Sequence, residues 1–146
     1  MTTPFYSIRS ILESKLTPYI AAGIPGVAVH KGITDDIRTL PQIIVYAENA
    51  TAADALGSHP LGNYQISLKV YVYSSADDET LDTHRARVQE VMNLLIDDAA
   101  VKALYNNATD GQIYDLWINS DDEGMSQRRY GNVLDFTVFA VLPPAP

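Results

Sequence analysis

The chain has 146 residues, a formal net charge of -8 from 18 acidic residues against 10 Lys and Arg, and no cysteine. This length is typical of one domain with an ordinary core, so we expect a single domain over residues 1–146. Without cysteine, the sequence has no disulfide, no thiolate metal site and no cysteine nucleophile.

Charge and hydropathy exclude two further classes of protein. A nucleic-acid binder needs a basic stripe to neutralise phosphates, whereas the only adjacent basic pair here is Arg128-Arg129. No apolar run approaches the ~20 residues that cross a bilayer, and the first residues lack the pattern of a secretion signal. We therefore expect no membrane partner and no specific binding of nucleic acid.

The first quarter of the chain predicts one helix and two strands. Thr3 and Pro4 form a helix-start signal, and apolar residues then recur at helical spacing. These apolar residues are Phe5, Ile8, Leu12 and Leu16. Thr17-Pro18 repeats the start signal, which predicts a break or kink there. The segments "VAVHKG" (27–32) and "PQIIVYAE" (41–48) predict strands.

A long loop and the clearest strand follow. Residues 48–63 are rich in Gly, Pro, Asn and Ala, and loops of this length are often binding or assembly loops. The strand "YQISLKVYVYS" (64–74) alternates between two faces. One face carries Ile66, Leu68, Val70 and Val72, and the other carries Gln65, Ser67, Lys69, Tyr71 and Tyr73.

The second half predicts two helical segments and two strands. A helix over 78–96 precedes a short helical segment over 97–107, and strands over 111–120 and 130–142 flank the acidic turn "DDEGMSQRR". The element order is α-β-β-β-α-(α)-β-β. It predicts an α/β (α+β) fold, with a single mostly antiparallel or mixed sheet and the helices packed on it.

Asp78, Asp82 and His84 lie within seven residues and resemble a metal or acid–base cluster. Successive helical side chains are rotated by about 100°, so His84 lies about 160° around the helix from Asp82. We expect His84 to join the apolar stripe of Leu81, Val88, Val91 and Leu95. Asp82 is then at ion-pair spacing from Arg85.

No other motif specifies a reaction. The three histidines are isolated, "GIPG" lacks the spacing of a phosphate loop, and "SDDEG" lacks the later glutamate of a calcium loop. We expect no catalytic residue, no cofactor and no metal site.

The second faces of the strands carry apolar and aromatic residues. They include Tyr71 and Tyr73 on the middle strand and Val133, Phe139 and Val141 on the last. Either the first helix partly covers this face, or the face meets another subunit. The residues slightly favour burial within the protomer.

The order of these elements resembles the tail terminator (tail completion) proteins of long-tailed bacteriophages. The resemblance rests on the helix with Ile8, Leu12 and Leu16, the strands "PQIIVY" and "YQISLKVYVYS", the helix "THRARVQEVMNLL" and the strand "NVLDFTVFAVL". It covers nearly the whole chain and includes no catalytic signature.

The resemblance implies a non-enzymatic structural protein of the virion tail or neck, assembled in the host bacterial cytoplasm. Its partners would be further copies of itself in a ring, usually a hexamer, together with the tail tube protein and the head-completion or connector protein. The ring would end tube polymerisation, and DNA would pass through it without specific binding. The alternatives are another neck or head–tail connector protein, or a small ligand-binding domain or enzyme with a pocket.

Two segments are the candidates for subunit or partner contacts, namely the 48–63 loop with Asp54 and His59 and the 119–129 hairpin tip. The tip carries Asp121, Asp122 and Glu123 before Arg128 and Arg129. Tyr71 and Tyr73 are further contact candidates. The alternative for the tip is a solvated turn whose charges pair locally.

Overall fold

A computed structural model describes residues 4–32, 40–52, 63–105 and 111–141 of the chain. Over these residues the elements are α1 (Pro4–Gly23), β1 (Ala28–Lys31), β2 (Gln42–Ala52), β3 (Asn63–Ser75), α2 (Leu81–Ile96), α3 (Asp98–Ala103), β4 (Gln112–Ser126) and β5 (Arg129–Val141). Their order confirms the predicted one.

The strands form one mixed sheet in the order β1-β2-β3-β5-β4. The short β1 runs parallel to β2, and the three other neighbouring pairs are antiparallel. β5 is therefore last in chain order but lies between β3 and β4. The predicted α+β fold with a single sheet is confirmed.

The helix α1 buries most of its predicted apolar stripe, since Ile8, Leu12 and Leu16 have no exposed surface, and neither does Ile20; Phe5 is 42% exposed. The predicted break at Thr17-Pro18 is wrong, because α1 continues through Pro18 to Gly23. Pro18 lies on the exposed side of the helix, where water can replace the lost hydrogen bond. Burial of Ile20 and Ile24 holds the last turn against the sheet.

The helix α2 begins later than predicted, at Leu81. Thr80 is the N-cap, and its hydroxyl accepts a hydrogen bond of 3.2 Å from the Thr83 backbone N–H. The predicted stripe is confirmed for its four fully buried members, His84, Val88, Val91 and Leu95, whereas Leu81 is half-buried. Arg85 directs its guanidinium to Glu123, and Asp82 adds a weaker electrostatic attraction to Arg85 without a hydrogen bond.

Both long helices pack on the same face of the sheet. Their stripes share one core with the inward side chains of β2, β3, β4 and β5. The Tyr19 hydroxyl donates to the Leu94 carbonyl at 2.6 Å, and a Cβ on Gly23 would lie 2.6 Å from Leu94 Cδ1. The expectation that the first helix partly covers the second face is therefore wrong. Both helices need the apolar face, and they lie side by side on it.

The strand β4 is longer than predicted. The segment predicted as an acidic turn is mostly strand, and the turn itself consists of Gln127 and Arg128 with φ of 51° and 62°. Register shifts between Ile113 and Asp115 and between Ile118 and Ser120 interrupt the alternation of β4. Each bulge changes which residues of β4 face inward. The alternation of polar and apolar residues therefore stops before the strand does, and the predicted strand is too short.

Candidate functional site

A chain of buried hydrogen bonds lies between α2 and the sheet. His84 Nδ1 is 2.7 Å from Ser74 Oγ, and His84 Nε2 is 2.6 Å from Asn132 Oδ1. The Asn132 amide donates to Asp121 Oδ1 at 2.6 Å, and Arg87 donates to Ser74 Oγ at 2.7 Å. The Asn132 amide nitrogen donates to Asp121, so its Oδ1 faces His84 and accepts a hydrogen bond from Nε2.

This chain has the residue types of a nucleophilic site but not the access that one needs. Ser74 and His84 are 0% exposed and Asn132 is 3% exposed. A substrate cannot reach the serine. These buried hydrogen bonds instead connect α2 to β3, β5 and β4. The sequence offered a signal that went unused: Ser74 and Asn132 are polar residues at inward positions of otherwise apolar strands.

Two arginines of α2 reinforce the same contact. Arg87 Nη2 donates to Glu79 Oε2 at 2.8 Å. Arg85 binds Glu123 through two hydrogen bonds of 2.9 and 2.8 Å, and this pairing lowers the pKa of the Glu123 carboxyl. Of the predicted tip residues, Asp121 and Glu123 thus have partners within the subunit.

The remaining charged residues of the tip point elsewhere. Asp122 pairs in register with Val133 and lies on the side of the sheet away from the helices. Arg129 donates to Gln127 Oε1 at 3.0 Å. Arg128 is held weakly, since its side chain is 80% exposed and its contact with Asp77 is 3.9 Å long.

The side of the sheet away from the helices is called the open face below. Tyr71 and Tyr73 stack there with ring centroids 6.2 Å apart, and burial raises the pKa of both hydroxyls. Lys69 lies between Asp135 at 3.5 Å and Glu48 at 3.6 Å. Burial by itself would lower the pKa of Lys69, but these carboxylates raise it.

One end of the open face holds a shallow hollow of about 440 Å³, called the aromatic hollow below, which Tyr114, Asp115, Trp117 and Phe139 line. The Trp117 and Phe139 rings are 5.2 Å apart and tilted by 42°. Trp117 is 41% exposed, although large apolar side chains are usually buried. The hollow was not predicted, because its residues come from two strands.

Comparison with known proteins gives a likeness of fold. No protein-family model and no curated protein matches the chain. A chain from the virion of the native gene transfer agent (GTA) particle is 12% identical, with 94% of this chain and 95% of that chain covered and a TM-score of 0.60. The two chains therefore share one fold over nearly their whole lengths. A second solved chain, whose name states no function, is 13% identical over 97% of both chains with a TM-score of 0.50.

Two of the predicted contact residues, Asp54 and His59, lie outside the described residues, and their role stays a prediction. Within the described ranges, no group of three His, Asp or Glu residues could hold a metal ion. None of the helices described is long and apolar enough to cross a membrane.

Proposed function

We propose that the protein is a structural component of a phage-type virion, and that it acts as the tail terminator. The observation that carries the proposal is the shared fold, which extends over 94% of this chain and 95% of a chain from a gene transfer agent virion. Because nearly the whole of each chain is covered, the likeness concerns the complete fold and not a fragment that the two chains share.

The chemistry of the described surface supports a role without catalysis. The hydrogen-bonded group of Ser74, His84 and Asn132 is closed to solvent. The open face and the aromatic hollow instead present aromatic side chains, which are enriched where proteins contact one another.

In this role the protein forms a ring on the head-proximal end of the tail tube, in the neck of the virion. The ring ends tube polymerisation and gives the head-completion or connector protein a surface to bind. DNA passes through the ring without being held, because a chain with a net charge of -8 repels phosphates.

The ring itself is tested by measuring the mass of the purified protein in solution and by negative-stain imaging. We expect a closed ring, with six copies as in the family that the chain resembles. A protein that stays monomeric at every concentration up to about 100 μM would contradict the proposal, because its subunits would then bind one another with less than about 5 kcal/mol of free energy.

The position in the virion is tested with a polymerising tail tube protein. Tubes grown with the protein present should be shorter, and each should carry a ring at one end. A tail terminator is thereby distinguished from another neck protein, which would bind the connector and leave the tube length unchanged.

A further inference from the structure

The aromatic hollow has the chemistry of a site for a cationic side chain. Tyr114, Trp117 and Phe139 line it with aromatic rings, whose faces attract cations, and Asp115 adds a carboxylate to the lining. Asp115 Oδ1 accepts the Leu116 backbone N–H at 2.9 Å, and its other oxygen has no partner among the described residues. A guanidinium fits best, because it stacks on aromatic rings and donates to a carboxylate at once.

The strand that carries the hollow is strongly acidic. Between Gln112 and Ser126 it has Asp115, Asp121, Asp122 and Glu123 and no Lys or Arg. No cation of β4 itself can therefore fill the hollow. The cation must come from another element or another molecule.

Most described cations are already engaged. The paired ones are Arg9 with backbone carbonyls, Lys31 with Ser14, Lys69 with Asp135 and Glu48, Arg85 with Glu123, Arg87 with Glu79 and Lys102 with Asp98. Arg128 differs, because its side chain is 80% exposed and the ion pair of its guanidinium with Asp77 spans 3.9 Å. Among these cations Arg128 is the one most available to a partner.

Arg128 cannot reach the hollow of its own subunit. The turn and the hollow lie at opposite ends of the β4–β5 hairpin. Phe139, the register partner of Asp115, is ten residues from Arg129 along β5, which at about 3.3 Å per residue is roughly 33 Å. Occupation of the hollow by Arg128 therefore requires a second copy of the chain.

The backbone of the turn gives separate support. Gln127 and Arg128 both have positive φ, where Asn followed by Gly is strongly preferred. An arginine in this conformation costs stability, and residues held in such conformations cluster at functional sites. The turn projects the Arg128 side chain into solvent at the end of the sheet.

We propose that the Arg128 guanidinium of one subunit binds in the aromatic hollow of the next subunit, against Asp115 and the ring of Trp117. The inference rests on the proposed ring. Because tip and hollow are different surfaces, the contact is heterologous, which is the kind of contact that closes into a ring.

The contact is tested by charge reversal and charge exchange. Arg128→Glu and Asp115→Lys should each weaken subunit association at least ten-fold, as measured by sedimentation at fixed salt. A 1:1 mixture of the two variants should assemble again, because each reversed tip then meets a reversed hollow. The double variant Asp115→Lys/Arg128→Glu should also assemble. Glu90→Lys, a reversal of an exposed carboxylate on α2, serves as the matched control and should assemble normally.

Trp117→Ala tests the aromatic part of the contact. We expect weaker association with a small change in the melting temperature of the monomer. A large fall in melting temperature with normal assembly would overturn the proposal, because the hollow would then be filled from within its own subunit.

The outcomes separate this contact from the ring. If the wild-type protein stays monomeric, both the ring and the contact fail. If the wild type forms rings and both single reversals assemble equally well, only the contact fails. If the reversed rings form normally but no longer bind the tail tube, the hollow binds a tube protein and the contact between copies is also refuted.

Discussion

His84 shows how a residue with catalytic chemistry can serve packing alone. Its two ring nitrogens are both satisfied, by Ser74 on β3 and Asn132 on β5. Such a fully paired polar group inside a core favours one arrangement of the surrounding elements over others. The hydrogen bonds therefore fix how α2 sits on the sheet.

Replacing His84 with Ala should lower the free energy of unfolding by about 2–4 kcal/mol, because a cavity opens and Ser74 and Asn132 lose a buried partner. Urea unfolding measures the change. Glu90→Ala on the exposed side of the same helix is the control and should shift stability by less than about 0.5 kcal/mol. Equal unfolding midpoints for both variants would refute the role given to His84.

The ion pair between Arg85 and Glu123 predicts a dependence of stability on acid. The pKa of Glu123 is lower in the folded protein than in the unfolded chain, so the pair stabilises the fold above the unfolded carboxyl pKa of about 4.3. This contribution is lost as the pH falls through the lower folded pKa.

The variant Arg85→Gln isolates that contribution. Its urea midpoint should lie below that of the wild type at pH 7, and the difference should vanish once Glu123 is protonated in both states. Because the pair is partly exposed, 1 M salt should also reduce the difference at pH 7. A difference that persists unchanged in acid would rule out the pair as its source.

At the scale of elements, the sequence predicted those features that depend on the periodicity of apolar residues. The stripe of α2 and the alternation of β3 and β5 depend on local spacing, and the structure confirms both. The two bulges of β4 have no local signature, since they depend on its pairing with β5. Passage of α1 through Pro18 depends on burial of Ile20, which is a tertiary contact.

The candidate site was predicted in part for the same reason. Alternation placed Tyr71 and Tyr73 on the second face, where the structure has them. The aromatic hollow joins Trp117 and Phe139 across two strands, and the bulges of β4 determine that juxtaposition. The order of residues in the sequence therefore does not predict that Trp117 and Phe139 are neighbours.

The turn between β4 and β5 predicts a gain of stability on substitution. Gln127→Asn with Arg128→Gly supplies the residues that prefer positive φ, so the free energy of unfolding should rise by about 1 kcal/mol. Thermal melting of the monomer measures it. On the proposed Arg128 contact, the same protein should assemble less well, and a lower melting temperature would refute the turn assignment.

The packing of α2 is tested by Val91→Asp. Val91 is 0% exposed, and an unpaired buried charge costs several kcal/mol, which is comparable to the whole stability of a domain. We expect the variant to be insoluble on expression. Glu90→Lys, one residue away on the exposed side, should express normally, and normal melting of Val91→Asp would refute the helix packing.

At the scale of the whole molecule, stability should not depend on a metal ion. The described residues contain no group of three possible ligands, so EDTA should leave the melting temperature unchanged. A clear fall that Zn²⁺ reverses would point to ligands among the residues outside the described ranges, where His59 lies.

The place of β5 in the sheet has a consequence for the order of folding. Until the ribosome has made Arg129–Val141, β4 has no strand beside it and β3 lacks one neighbour. The pairings of β3 with β5 and of β4 with β5 therefore form only after this late segment is made, and the pairing of β3 with β5 joins distant parts of the chain. Folds of this kind form slowly. A nascent chain that stalls before β5 exposes one edge of β3 and an unpaired β4, which makes it a substrate for chaperones and proteases.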